Sequence, residues 1–293
     1  LLSAHQSIGV PQPLKLFGTP EQKKKFLPRC AKGAISAFAL TEPHVGSDPA
    51  SLSTTAEPQG DSFILNGEKL WCTNGTLADV AVVWAVTDDG VRGFLVERGV
   101  KGYVARDIKR KMSLRASVTA ELTFEDLRLP ADAVFPDVTG LKGPLACLSE
   151  ARYGIVWGAL GAARSSLDAA RRYSMGRIQF GRPIAGFQLT QAKLANMATE
   201  LQLGQLLALH LGRRKDTVGL RPEQVSVGKY NNITKAIEIC RTARTILGAN
   251  GVSGEYPVLR HANNLESVLT YEGTVEMHTL VIGQALTGES AFR

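Results

Sequence analysis

The sequence predicts an α+β fold with an antiparallel β-domain between two helical regions. Residues 34–134 contain short apolar runs separated by turn residues, and no helices alternate with these runs. That arrangement favours an antiparallel sheet or barrel over a parallel, doubly wound sheet. Residues 140–293 instead repeat apolar side chains at helical spacing, which predicts an antiparallel bundle. We therefore predict a helical remnant at 1–33, a central β-domain at 34–134 and a C-terminal four-helix bundle at 135–293.

The first region contains the start signal of one short helix. Thr19 is suited to cap a helix, Pro20 to occupy its first position, and Glu21 and Gln22 to lie in its first turn. Because a residue that precedes proline disfavours the helical conformation, we expect this helix to end before Pro28.

Two β-hairpins are predicted in the central region. The first turns at Asn66-Gly67, which lies between two apolar runs, because both residues tolerate positive φ. The second joins the apolar runs 80–86 and 93–96 through a turn that ends at Gly90.

The helical region carries further boundary signals. One helix is predicted over 222–247, with a proline in its first position and Gly248 beyond its end. The last helix is predicted over about 263–286, with an interruption at Gly273.

Composition excludes several classes of protein. The sequence contains no run of 18 or more apolar residues, so no membrane span is predicted. Residues 1–5 lack the basic segment of a signal peptide, and we expect a processed or truncated chain. Four widely spaced cysteines indicate reduced thiols and no zinc site. The net charge is +7, but its basic clusters are short and lack interleaved aromatics, which argues against nucleic acid and leaves a solvated face or the steering of a polyanionic ligand. Signature motifs of Rossmann, P-loop, metalloprotease and α/β-hydrolase enzymes are absent.

Five segments resemble the motifs of acyl-CoA dehydrogenases, and they occur in that family's order. The first is F-A-L-T-E-P-H-V-G-S-D at 38–48, a strand end followed by a turn rich in hydroxyls and exposed N–H groups. The others are W-C-T-N-G at 71–75, R-I-Q-F-G at 177–181, L-G-A-N-G at 247–251 and Y-E-G-T at 271–274.

Three further stretches resemble the glutaryl-CoA dehydrogenases within that family. They are K-M-S-L-R-A-S at 111–117, C-L-S-E-A-R-Y-G-I-V-W-G at 147–158, and R-H at 260–261 followed by N-L-E-S-V at 264–268. Ser149 and Glu150 depart from the subfamily, which often has asparagine there.

The resemblance implies an FAD enzyme with the flavin between the β-domain and the bundle. It also implies a homotetramer, built as a dimer of dimers, that passes electrons to an electron-transferring flavoprotein in a bacterial cytoplasm or a mitochondrial matrix. By this resemblance the cofactor residues are Phe38, Leu40, Thr41, Gly46, Ser47, Trp71, Thr73, Arg177, Phe180, Gln188, Thr245, Gly248, Ala249 and Thr274, and the substrate residues are Ser47, Leu145, Leu148, Arg152 and Gly273.

The resemblance makes Glu272 the catalytic base. A thioester α-proton is weakly acidic and needs a base whose pKa is lifted by burial. Glu272 would take this proton while hydride leaves the β-carbon, and would then manage protonation after carbon dioxide departs to give crotonyl-CoA, a step of lysine and tryptophan catabolism. Tyr271 would tune the decarboxylation, and Gly273 would give the thioester room. Glu266 is an alternative base position that we interpret as a surface residue.

Two other interpretations stay open from the sequence. One is the same oxidation of a different short acyl-CoA without loss of carbon dioxide. The other is a non-catalytic fragment or interaction module, because most of the first helical domain is missing. In glutaryl-CoA dehydrogenases those helices supply an arginine for the far carboxylate of the substrate, a position that this sequence does not contain.

Overall fold

The computed structural model describes residues 7–292 of the chain. The predictions made for residues 1–5 therefore lie outside the described residues. The chain divides into two compact units, Leu1–Lys111 with Arg115–Ala151, and Met112–Leu114 with Arg152–Arg293. The predicted division into three domains stays a prediction.

In the part of the chain that the structure describes, the first unit contains the short helices α1 (Pro11–Phe17) and α2 (Pro20–Ala31). Its sheet contains the strands β1 (Ser36–Ala39), β2 (Thr55–Gln59), β3 (Ser62–Thr73), β4 (Val80–Thr87), β5 (Gly90–Glu97), β6 (Tyr103–Asp107) and β7 (Thr119–Pro130). The strands follow the order β1-β4-β2-β3-β7-β6, and β5 pairs with β4. Most pairs are antiparallel, as predicted, whereas β1 and β2 each run parallel to β4.

Two boundary predictions in this unit are wrong. Helix α2 continues through Pro28, because a proline near the end of a helix forfeits one backbone hydrogen bond while the capping box between Thr19 and Gln22 still fixes the start. Asn66-Gly67 is not a turn, because both residues lie inside strand β3.

The pairing of β3 with β7 explains why Asn66-Gly67 does not turn. The register of this pair shifts between Leu65 and Gly67, so the dipeptide forms an irregularity inside the ladder. Asn66 Oδ1 accepts a hydrogen bond from the N–H of Asp126 on β7 at 2.7 Å. The chain reverses earlier, at Gly60, whose φ of 63° suits a tight hairpin between β2 and β3. The predicted hairpin of β4 and β5 is confirmed.

The second unit is helical apart from the short strands β8 (Ile178–Gln179) and β9 (Arg182–Pro183). Its apolar residues form one core cluster, which includes Val156, Leu201 and Ile233. The 222–247 prediction is confirmed by α5, and the predicted last helix consists of two helices separated at residues 271–274. The helices are α3 (Lys142–Gly176), which contributes residues to both units, α4 (Gln188–Thr217), α5 (Pro222–Ile246), α6 (Val258–Thr270) and α7 (Val275–Thr287).

The described residues also bear on membrane spans, cysteines and metal sites. No helix within residues 7–292 combines the length and the apolar character that crossing a membrane requires. All four cysteines are free thiols, and three of them are buried. Within the same residues, no group of three or more histidine, cysteine or acidic side chains is arranged to hold a metal ion.

Candidate active site

A strained loop joins α6 to α7 and carries Glu272. Helix α6 ends at Thr270, after which Glu272 adopts a left-handed φ of 54° and Gly273 a φ of 99°. The hydroxyl of Thr274 accepts a hydrogen bond from the N–H of Met277 at 3.3 Å and thereby caps α7. A left-handed residue other than glycine costs about 1–2 kcal/mol, so other contacts must hold Glu272 in this conformation.

Two cationic side chains bind three successive carbonyls of this loop. Arg152 Nε donates to the carbonyl oxygen of Glu272 at 2.7 Å. Lys229 Nζ donates to the carbonyl oxygens of Tyr271 and Gly273, and the lysine is only 1% exposed. Carbonyls at a helix C-terminus carry partial negative charge, and hydrogen bonds from charged donors are stronger than neutral ones. Both cations therefore fix the backbone around the predicted base.

The carboxylate of Glu272 is buried beside these cations but is incompletely hydrogen-bonded. Its Oε2 atom accepts no hydrogen bond from any residue between 7 and 292. Burial raises the pKa of Glu272, and the positive charges of Lys229 and Arg152 offset only part of this rise. A carboxylate with a raised pKa and an unused oxygen is chemically able to accept a proton from a carbon acid.

His278 and Gly273 form the immediate surroundings of the loop. His278 Nδ1 lies 3.0 Å from the hydroxyl of Ser226. Burial, together with the positive charges of Lys229 and Arg152, lowers the pKa of His278 to about 3, so its imidazole is neutral at pH 7. A Cβ atom on Gly273 would lie 3.0 Å from His278 Nε2 and 3.7 Å from Arg152 Nη2. The glycine is thus required by both backbone conformation and space.

Tyr271 contributes an aromatic ring next to the predicted base. Lys229 Nζ lies 5.8 Å from the centroid of this ring, within the range of a cation–π contact. Burial, and secondarily the charge of Glu272, raise the pKa of Tyr271, so its phenol is protonated at neutral pH.

In the first unit, the loop at 38–48 is held by a buried ion pair that sequence reasoning missed. Glu42 Oε1 lies 2.7 Å from Lys69 Nζ, and the two side chains are 2% and 0% exposed. Glu42 Oε2 also accepts hydrogen bonds from the N–H and hydroxyl of Ser53 at 2.7 and 2.6 Å. The other predicted residues of this loop are half-buried (Phe38, Leu40, Thr41) or exposed (Gly46, Ser47).

Trp71, near the end of β3, has an exposed aromatic side chain. Its φ is 60° and it is 56% exposed, although the next residue, Cys72, is buried. Thr73, half-buried, ends the strand. A large aromatic ring that stays exposed on a strained backbone suits stacking against a planar ligand.

The second unit exposes six further cofactor candidates. Phe180 has a φ of 50°, is 94% exposed and makes an edge contact with Phe187 at a centroid distance of 6.1 Å. Arg177 and Gln188 are exposed nearby in the chain, and Thr245, Gly248 and Ala249 are exposed around the end of α5. Gly248 has a φ of 58°, and a Cβ there would meet no atom within 4 Å. Exposed aromatic faces, hydroxyls and a guanidinium fit a dinucleotide with a planar ring and a pyrophosphate.

The structure brings some predicted residues together and leaves others apart. Tyr271, Glu272, Gly273 and Arg152 form one cluster in the second unit. Thr274 uses its hydroxyl to cap α7. Leu145 and Leu148 lie on α3, exposed and half-buried respectively, within the first unit.

Lys229 is the functional candidate of this cluster that sequence reasoning missed. It occupies the apolar stripe Val225, Lys229, Ile233 and Ile237, which repeats every four residues along α5. A lysine on the buried face of a helix requires partners, so this pattern was the available signal.

Family models match three segments of the chain. Residues 139–287 match the family model for the acyl-CoA dehydrogenase C-terminal domain, residues 37–127 that for the middle domain, and residues 1–34 that for the N-terminal domain. Human mitochondrial short-chain specific acyl-CoA dehydrogenase is 38% identical over 277 residues, which cover 92% of this chain and 67% of that protein.

Solved structures give a closer similarity. Glutaryl-CoA dehydrogenase from Mycobacterium smegmatis superposes with a TM-score of 0.98 at 60% identity, and a glutaryl-CoA dehydrogenase from the same organism in complex with FADH2 does so at 57% identity. Each match covers 100% of this chain and 76% of the other. The chain therefore belongs to the acyl-CoA dehydrogenase family and is an FAD-dependent oxidoreductase acting on the CH–CH bond of acyl-CoA thioesters.

Proposed function

We propose that this chain catalyses the oxidative decarboxylation of glutaryl-CoA to crotonyl-CoA, with Glu272 as the base. The observation that carries the proposal is the buried, unpaired Oε2 of Glu272 in a loop whose carbonyls are bound by Lys229 and Arg152. The choice of substrate is supported by identities of 60% and 57% to glutaryl-CoA dehydrogenases, against 38% to a short-chain specific enzyme.

The chemical task of Glu272 is to remove the α-proton of the thioester. Its raised pKa makes the carboxylate a stronger base than an exposed glutamate, so less driving force is lost in the transfer. Bound FAD supplies the acceptor for the hydride that leaves the β-carbon. After carbon dioxide departs, the protonated Glu272 returns its proton to the remaining carbon framework, which yields crotonyl-CoA and regenerates the base.

The neighbours of Glu272 prepare it for this task. Gly273 adds no side chain beside the base, which in this proposal lets the thioester approach the backbone, and a Cβ there would also crowd His278 Nε2 at 3.0 Å. Arg152 fixes the backbone of the base and supplies positive charge to an anionic or carbonyl group of the substrate. Tyr271, protonated at neutral pH, tunes the decarboxylation. Ser47, Leu145 and Leu148 border the remainder of the substrate in this proposal.

Two surfaces would hold the cofactor. In the first unit we assign contacts with the flavin ring and the adjoining channel to Phe38, Leu40, Thr41, Gly46, Ser47, Trp71 and Thr73. In the second unit we assign a flavin contact to Thr274. We assign the pyrophosphate and adenine side of a partner chain's cofactor to Arg177, Phe180, Gln188, Thr245, Gly248 and Ala249.

The residues that we assign to a partner chain's cofactor require an oligomer. Exposed leucines on α4, 54% at Leu203 and 63% at Leu206, support association with further copies. We therefore propose a homotetramer, an electron-transferring flavoprotein as electron acceptor, and a bacterial cytoplasm or a mitochondrial matrix as the location.

The proposal is tested by supplying purified, FAD-loaded protein with glutaryl-CoA and an artificial electron acceptor. Bleaching of the flavin with release of crotonyl-CoA and carbon dioxide supports it. Bleaching by butyryl-CoA alone identifies a dehydrogenase that does not decarboxylate, and a purified protein that stays colourless and inactive after incubation with FAD identifies a fragment.

The role of Glu272 as the base is tested by replacing it with glutamine and by making the same replacement at the nearby Glu266. Glu272→Gln should keep the flavin absorbance and lower kcat by about a hundredfold or more. The control is Glu266→Gln on α6, because Glu266 is 47% exposed and forms an ion pair with Arg241. Full turnover in the first variant, or an equal loss in both, would remove Glu272 from the role of base.

A further inference from the structure

We propose that Lys229 is a positioning residue for Glu272, one whose ammonium group fixes the two carbonyls that flank the base and places positive charge beside its carboxylate. This inference rests on the proposed role of Glu272 and concerns how that base is set. It assigns a role to a lysine that stands 43 positions earlier in the chain.

The first step of the argument is geometric. Lys229 Nζ donates to the carbonyls of Tyr271 and Gly273, which lie on either side of Glu272. Because Glu272 has a φ of 54°, a free loop would relax toward an ordinary backbone conformation and move the carboxylate. A single ammonium that holds both flanking carbonyls opposes this relaxation. Helix α5, which carries Lys229, is anchored in the core by Val225 and Ile233.

The second step concerns charge. Among the described residues, the titratable or charged groups that face the loop are Arg152 from α3, Lys229 from α5, Tyr271 at the end of α6 and His278 from α7. His278 is neutral and Tyr271 is protonated at pH 7, so the positive charge that stabilises the anionic form of Glu272 comes from Arg152 and Lys229. Of these two cations, Lys229 has the larger influence on the pKa of Glu272. Burial lowers the pKa of Lys229, and the charge of Glu272 opposes part of this fall, so the ammonium and the carboxylate each favour the charged form of the other.

The two roles of Lys229 can be separated by substitution. Lys229→Met removes the donors and the charge, Lys229→Gln keeps an N–H donor without the charge, and Lys229→Arg keeps both. Lys235→Met is the matched control, since Lys235 lies on the same helix, is partly exposed and pairs with Glu238 at 2.9 Å. All variants are prepared as the FAD-loaded enzyme, and flavin content is measured by absorbance.

The decisive measurement is the pH profile of kcat with the acyl-CoA substrate. Loss of a nearby opposite charge shifts a carboxyl pKa upward by about one to three units. The rising limb of the profile should therefore move to higher pH by about one unit or more in Lys229→Gln and Lys229→Met, and stay in place in Lys229→Arg and Lys235→Met. A residue that only supports the fold would lower kcat at every pH and leave the limb where it is.

Two further outcomes would overturn the inference. One is an unmoved limb in a flavin-loaded Lys229→Gln enzyme. The other is failure of both neutral variants to form flavoprotein while Lys229→Arg forms it, because this result assigns Lys229 to the fold alone. Exchange of the substrate α-proton in deuterated water separates this inference from the proposed function. If Glu272→Gln still exchanges the proton, the proposed base is wrong. If it does not, and the limb of Lys229→Gln is unmoved, only the role of Lys229 is wrong.

Discussion

Replacing Gly273 by alanine tests whether the catalytic loop depends on close packing behind Glu272. Gly273 has a φ of 99°, a conformation that residues with a Cβ rarely adopt. The added Cβ would lie 3.0 Å from His278 Nε2, 3.2 Å from His278 Cε1 and 3.7 Å from Arg152 Nη2. The imidazole has little freedom to withdraw, because His278 is only 3% exposed and its Nδ1 is hydrogen-bonded to Ser226.

The size of the effect follows from these two contributions. The unfavourable backbone conformation costs about 1–3 kcal/mol, and the contacts with His278 require a shift of the loop or of the ring by a few tenths of an ångström. We expect the free energy of unfolding to fall by about 2 kcal/mol, which lowers Tm by roughly 4 °C. Because a displacement of about 1 Å can cost a hundredfold in rate, a smaller shift of Glu272 should lower kcat by about tenfold.

The assay compares Gly273→Ala with Gly283→Ala in FAD-loaded enzyme. Gly283 lies inside α7, ten residues further along the chain, and a Cβ there would meet no atom within 4 Å. Alanine in a helix interior is favoured over glycine by about 0.5–1 kcal/mol, so this control should raise Tm slightly and leave kcat unchanged. Thermal unfolding followed by flavin fluorescence, together with initial rates, gives both quantities.

The reasoning would be refuted by a Gly273→Ala enzyme with the parent Tm and kcat. That result would mean that the loop accommodates a side chain, and that the left-handed conformation at residues 272–273 is not enforced by Arg152 and Lys229. A fall in Tm at unchanged kcat would leave the packing argument intact and remove its catalytic consequence.

Four further predictions concern the pH profile, the buried ion pair and the cofactor. The kcat of the parent enzyme should fall as pH drops through the raised pKa of Glu272, because the protonated carboxyl group cannot act as a base. A profile of kcat that stays flat down to pH 5 would contradict this prediction. Lys69→Met should destabilise the first unit by about 3–5 kcal/mol, because it removes the cation that pairs with the buried carboxylate of Glu42. Chemical unfolding measures the free energy of unfolding, and a loss below about 1 kcal/mol would refute the prediction. The pKa of Glu42 is lowered from 4.5 to about 2, so its contribution to stability should be present above pH 4.5 and disappear as pH falls toward 2, and acid unfolding that is unchanged in Glu42→Gln would be inconsistent with this. Phe180→Ala should release FAD on dilution, measured by the ratio of flavin to protein absorbance, whereas retained flavin would place Phe180 outside the cofactor surface.

Local sequence signals predicted the elements whose ends are set by local chemistry. The hairpin of β4 and β5 and the helix that begins at Pro222 follow from turn and capping residues, and both are present. Asn66-Gly67 carries an equally strong turn signal, yet β3 passes through it, because pairing with β7 on both sides of the dipeptide satisfies more backbone groups than a local turn would.

The active-site cluster was predictable only in part for a related reason. Glu272 was found through the Y-E-G-T motif, since nothing in its local sequence separates it from an exposed helical glutamate. Lys229 and Arg152 contact this loop from 42 to 120 residues away in the chain. Such contacts depend on how α3, α5 and α6 pack against one another. The spacing of residues in the sequence does not show which group a buried charged side chain will contact.

Glu42 and Glu272 differ in the hydrogen bonds that reach their carboxylates, and this difference explains why one is structural and the other is suited to catalysis. Each lies near a buried lysine, but the lysines donate to different atoms. Lys69 donates directly to the carboxylate of Glu42, and the pKa of Glu42 is lowered to about 2. Lys229 donates instead to the backbone carbonyls around Glu272, one carboxylate oxygen of which has no partner among the described residues, and the pKa of Glu272 is raised. Hydrogen bonds from Lys69, Ser53 and Thr54 reach the carboxylate of Glu42 itself, and together they outweigh the rise in pKa that burial causes. Lys229 holds the backbone around Glu272, and its charge offsets only part of the rise that burial causes there. The hydrogen bonds made to the carboxylate itself, and not the presence of a buried lysine, therefore decide which glutamate can act as a base.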